Sequence, residues 1–134
     1  MNKKIVVGGV KLSEVKNLST HLLIDLEGVD YNLLNDMGAI AKTLESAAIS
    51  AGAEIIGEIK WEFKPQGVTI IIGVSESHLS IHTWPEDNFA AVDIFFCGDK
   101  VNLGVAQRVI IEYFRPQSVR AEEVCRGPRR LAQT

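Results

Sequence analysis

With 134 residues, 46% of them hydrophobic and 23% charged, the chain has room for one domain around one core. A formal net charge of -3 offers no basic surface of the kind that nucleic-acid binders carry. No apolar run approaches the roughly 20 residues of a membrane span, so a membrane protein is not expected either.

In chain order, residues 5–10 are apolar but too short for a signal segment, and charged Lys11, Glu14 and Lys16 follow them. Residues 21–27 alternate loosely and predict a strand, broken by Gly28. Asp30 is a candidate N-cap for a helix. Leu33, Leu34, Met37, Ile40, Ala41, Leu44, Ala47 and Ala48 recur at helical spacing up to a stop at Gly52. Residues 53–63 predict a strand, closed by the turn Lys64-Pro65-Gln66-Gly67. Residues 68–74 are almost all apolar and β-branched, the pattern of a strand covered on both faces. Two more strands are expected over 77–83 and 89–96. Asn102 caps a second helix ending at Arg115-Pro116, and 117–124 form a last strand.

This order predicts an α+β fold: a two-layer sandwich of mainly antiparallel sheet with two helices on one face. The strand at 68–74 then needs a cover on its other side. A second copy of the chain is the simplest one, which makes a homodimer with four layers, helix, sheet, sheet, helix. Cys97 and Cys125 are the only cysteines. Such a pair without an export signal suggests free thiols and a cytoplasmic protein.

The chemistry concentrates in Glu76-Ser77-His78-Leu79-Ser80-Ile81-His82-Thr83-Trp84-Pro85-Glu86, a polar run inside a stretch that otherwise reads as buried strand. The Ser77 hydroxyl can attack the Glu76 carbonyl and turn the amide into an ester. If a base removes the α-proton, the ester breaks and leaves dehydroalanine, which hydrolyses to a pyruvoyl group and ammonia. His82 is the nearest base that titrates near neutrality. The plain alternative is that Ser77 caps a turn and His82 is a hydrogen-bonded strand residue. Their odd spacing also points them to opposite faces of a regular strand, so they meet only if the chain bends near Ser77. Three histidines without a cluster offer no zinc site.

Together with Ala90-Ala91-Val92-Asp93-Ile94-Phe95-Phe96-Cys97-Gly98, this run resembles the signature of the prokaryotic S-adenosylmethionine decarboxylase proenzymes. The resemblance covers about residues 20–127. It leaves an N-terminal extension at 1–19 and a tail at 128–134. It implies a self-cleaving, pyruvoyl-dependent decarboxylase that serves spermidine synthesis, with the cut between Glu76 and Ser77 and the cofactor derived from Ser77. By the same resemblance His82 acts in processing, supported by Thr69 where the family often has serine. Cys97 is the proton donor to the substrate carbon, Phe63 stacks on adenine, and Glu86 grips the ribose hydroxyls. The implied substrate binds through its amine as a Schiff base on the pyruvoyl ketone.

Two positions depart from the pattern. Phe96 stands where threonine usually precedes the cysteine, and Glu62 stands where a basic residue or histidine precedes the phenylalanine. Glu62 would add negative charge near the pocket, which suits a second amine. A pyruvoyl-dependent arginine or ornithine decarboxylase is therefore the alternative on the same scaffold. An unprocessed, non-catalytic binding paralogue is the alternative outside enzymes.

Overall fold

The structure is a computed structural model describing residues 19–98 and 100–128. The extension expected at 1–19 lies outside them apart from Ser19, and the tail expected at 128–134 apart from Pro128.

Six strands form one antiparallel sheet: β1 (Ser19–Glu27), β2 (Ile55–Glu62), β3 (Val68–Val74), β4 (Ser77–Trp84), β5 (Phe89–Cys97) and β6 (Ser118–Arg126), in the order β2-β3-β4-β5-β1-β6. Hairpin connections join β2 through β5, as four successive strand patterns without helices between them require. β1 returns along β5, and β6 closes that edge.

Three helices, rather than the two expected, cover one face. The pattern read as a single helix from Asp30 is split into α1 (Tyr31–Leu34) and α2 (Met37–Ser50). The reason is local. Asp30 caps α1 through the Asn32 amide, and Asp36 caps α2 through the Ala39 amide. Asn35, between them, turns its side chain to accept from the Gly67 amide. Adjacent Asn and Asp offer the backbone other partners and interrupt a continuous helix. The third helix, α3 (Leu103–Phe114), starts at its Asn102 cap and ends at Arg115, whose φ of +46° cannot continue it.

One core lies between these layers. Leu22, Ile24, Ile70, Ile72, Leu79, Ile81 and Ile94 point from the sheet to Ile40, Leu44, Ile110 and Phe114 of the helices. Burying each such side chain stabilises the fold by about 1.5–3 kcal/mol. The alternate positions form the opposite, open face. There Ile59, Ile71, Ser80, Asp93 and Leu23 lie in register across five strands. Ile59 is 65% exposed and Trp61 63%, so half of this face is apolar and bare in the single chain.

Candidate active site

The residues singled out in the sequence fall into two groups at opposite ends of β4. At its start, Ser75 and Glu76 make the two-residue link from β3, since Val74 pairs with Ser77. Glu76 is tied down on both sides. Its carbonyl accepts from the Cys97 main-chain N–H at 2.7 Å, and its carboxylate accepts from the Glu54 amide at 3.0 Å. Ser77 has a φ of +134°, a region that non-glycine residues rarely enter and that costs on the order of 1–3 kcal/mol. A regular strand would turn Ser77 toward the helices with Leu79. Instead its Oγ lies 3.1 Å from Cys97 Sγ, at the exposed end of β5. Gly98 follows with a φ of +87° and open space around it, so its backbone angle and not crowding calls for glycine.

The second group sits at the other end of β4. Thr69 Oγ1 and His82 Nδ1 are 3.0 Å apart across the β3–β4 pair. The His82 ring packs at 6.3 Å from that of Trp84. Phe63 is half exposed at the start of the β2–β3 turn, where its amide donates to the Gly67 carbonyl. Glu86 is exposed in the short 3-10 helix Pro85–Asp87, an element the sequence reading missed. His82 is five positions from Ser77 along one strand, which amounts to about 16 Å. The bend at Ser77 brings that serine to Cys97 but does not bring His82 of the same chain to it.

Between the groups is a network the sequence reading passed over. His21 Nε2 and His78 Nε2 meet Asp93 Oδ2 at 2.6 and 2.9 Å, and the Ser80 hydroxyl donates to Asp93 Oδ1. So two of the three histidines do cluster. The available signal was Asp93 itself, one charge in the apolar run 89–97. Burial pushes the Asp93 carboxyl up, but hydrogen bonds from Ser80, His21 and His78 outweigh it and hold the group below the ordinary value. An ionised carboxylate only accepts, so both rings carry their proton on Nε2. Two ligands on a tetrahedral zinc stand about 3.3 Å apart, given bonds of about 2.0–2.1 Å. The 2.6 and 2.9 Å separations are those of hydrogen bonds, shorter than that spacing, although the three groups each offer a ligand atom within 4.8 Å of one another. The Phe95 ring packs against both imidazoles, 5.0 Å from that of His21 and 5.7 Å from that of His78, with the Arg126 guanidinium 5.1 Å from its centre.

A cleft lined by Gly28, Asp30, Asn88 and Arg115 contains none of these groups. Both departures from the family pattern turn away from the open face. Phe96 is buried in the core, and Glu62 lies on the helix side of β2 with Lys64 Nζ 4.0 Å away.

The sequence model of the S-adenosylmethionine decarboxylase family matches residues 20–127. The chain belongs to that family. It is 43% identical over 113 residues to the S-adenosylmethionine decarboxylase proenzyme of Pelotomaculum thermopropionicum, covering 84% of this chain and 90% of that one. A proenzyme of the same name from Acetivibrio thermocellus is 44% identical over 110 residues, covering 82% and 89%. The crystal structure of the adenosylmethionine decarboxylase from Aquifex aeolicus superposes with a TM-score of 0.79 at 35% identity, covering 84% of this chain and 93% of that one. As a member of this family the chain is an enzyme, a decarboxylase. Among the described residues, no helix is long and apolar enough to cross a membrane.

Proposed function

We propose that the chain is a proenzyme that cuts itself between Glu76 and Ser77 and that the product decarboxylates S-adenosylmethionine, supplying the aminopropyl donor for spermidine. The observation that carries this reading is the hold on one peptide bond. The Glu76 carbonyl is polarised by the Cys97 N–H at 2.7 Å, while Ser77, in a strained backbone, carries the hydroxyl next in the chain. Attack of Ser77 Oγ on that carbonyl carbon puts negative charge on the oxygen, which the Cys97 amide already faces. The C–N bond breaks to leave an ester and a free amine. Loss of the Ser77 α-proton then expels the Glu76 carboxylate and leaves dehydroalanine. Water converts that residue to a pyruvoyl group and releases ammonia.

These residues fit such a group: its position would be the first of β4, beside Cys97 Sγ. When present, the group supplies an electron sink for the pair left by departing carbon dioxide. Cys97 then delivers the proton to the substrate carbon. Phe63 offers a flat face for adenine, and Glu86 accepts from the ribose hydroxyls.

Thr69, His82, Phe63 and Glu86 lie too far from Ser77 to act on it within one chain. The bare apolar face supports a homodimer as the remedy. A second copy laid face to face about a two-fold axis, its strands running the other way, would carry the partner subunit's His82 to Ser77. Each interface would then hold two complete sites. The two free, exposed thiols agree with a cytoplasmic enzyme.

Intact mass after expression tests the first step. Two fragments, 1–76 and a blocked fragment from 77, are expected, followed by carbon dioxide release from S-adenosylmethionine. A folded protein that keeps its full-length mass after long incubation overturns the reading.

A further inference from the structure

Cutting between Glu76 and Ser77 creates a problem that the intact chain does not have. In the intact hairpin, β4 begins two residues after β3 ends. After the cut, the first residue of β4 is a chain end, and chain ends fray unless something holds them. The group that reacts would sit on that end. Its distance from Cys97 on β5 decides whether a proton reaches the substrate carbon, and misplacement by about 1 Å can cost about 100-fold in rate.

Asp93 is built to hold it. It stands on β5, the strand that ends in Cys97, directly opposite Ser80 of β4. One carboxylate oxygen accepts from Ser80, and the other accepts from His78, the residue bonded to position 77. The same oxygen accepts from His21 of β1, so the clamp is braced from the third strand as well. Both legs to β4 fall within its first four residues. These are charge-assisted bonds on a half-buried group, stronger than neutral ones.

We propose that Asp93 is a positioning residue that pins the new end of β4 to β5 after self-cleavage and so keeps the reacting group in register with Cys97. The proposal rests on the cleavage reading above. A merely structural Asp93 would matter equally before and after the cut. A clamp matters chiefly afterwards, because the covalent link to β3 holds the same end beforehand.

The test is amide hydrogen exchange at residues 78–80, read by mass spectrometry in four proteins. Asp93→Asn is compared with wild type in the processed form, and in a Ser77→Ala background that stays whole. We expect exchange about tenfold faster in processed Asp93→Asn and little changed in the uncut pair, with kcat falling more than KM rises. If Asp93→Asn does not fold, Ser80→Ala removes one leg alone and should show the same selectivity at smaller size. Equal loosening in cut and uncut proteins, or none in either, overturns the clamp. A wild type that never cuts overturns the cleavage reading and the clamp with it; a wild type that cuts, with no selective loosening in Asp93→Asn, overturns the clamp alone.

Discussion

Cys97 faces the Glu76–Ser77 bond twice: its main-chain N–H donates to the Glu76 carbonyl at 2.7 Å, and its thiol lies 3.1 Å from Ser77 Oγ. One residue thus offers a backbone group suited to cutting the chain and a side chain suited to the later reaction.

That division separates two steps in one variant. Cys97→Ala keeps the amide and should still yield two fragments. Its turnover should fall by about 100- to 10,000-fold, the usual effect of losing a general acid. Wild-type turnover in processed Cys97→Ala would remove the thiol from the reaction.

Ser77→Ala has no hydroxyl to attack Glu76 and should remain a single inactive chain on a denaturing gel. His82→Ala should cut slowly or stop at the ester, which hydroxylamine would then cleave. A His82→Ala chain that processes at the wild-type rate would take His82 out of processing.

Complementation distinguishes action within one chain from action between two. When Ser77→Ala and His82→Ala are co-expressed, the mixed dimer contains one site with an intact Ser77 and an intact His82 from different chains. The His82→Ala chain should then be cut in that dimer at close to the wild-type rate, although alone it cuts slowly or stops at the ester. Cleavage no faster in the mixture than in His82→Ala alone, or a stable monomer by light scattering at micromolar concentration, contradicts the shared site.

Asp93 sets a dependence on acid. Its folded pKa lies below the ordinary carboxylate value, because hydrogen bonds from Ser80, His21 and His78 overcome the effect of burial. Its charge therefore stabilises the fold above the unfolded value, and that contribution is lost as pH falls through the folded one. Denaturant midpoints measured from pH 6 down to pH 3 should drop less steeply in Asp93→Asn than in wild type. Parallel curves would mean that the carboxylate contributes nothing to folding.

Glu86→Gln should weaken use of S-adenosylmethionine by about 1–3 kcal/mol in kcat/KM, the range for a lost hydrogen bond to a charged group. Cleavage should be unaffected. If processed wild type releases carbon dioxide faster from arginine or ornithine, the substrate assignment fails while the cleavage chemistry stands.

Much of the fold was legible because it depends on local preference. A β-branched run marked β3, an apolar run marked β5, Asn102 marked the start of α3, and Arg115-Pro116 marked its end. The break between α1 and α2 was not, because apolar residues keep helical spacing straight through Asn35 and Asp36. It takes the Gly67 amide, brought up by the next turn, to draw Asn35 away. The 3-10 helix at Pro85–Asp87 lacks any period long enough to read.

The sequence by itself determined the chemistry on offer: a serine after a glutamate in a polar run, a cysteine closing an apolar strand, and an alternation that leaves the strand at 68–74 one face too many. Tertiary structure decided which of these groups meet. Ser77 reaches Cys97 only through a backbone angle that a serine does not announce, and through pairing with a strand 20 positions away. His21 meets Asp93 across 72 positions of sequence. His82 is separated from Ser77 by the rigid length of one strand, although only five positions lie between them. Sequence patterns report which face a side chain takes, because that is set by neighbours one or two residues away. Distance across a sheet is set by register, and register depends on how all the strands pack at once.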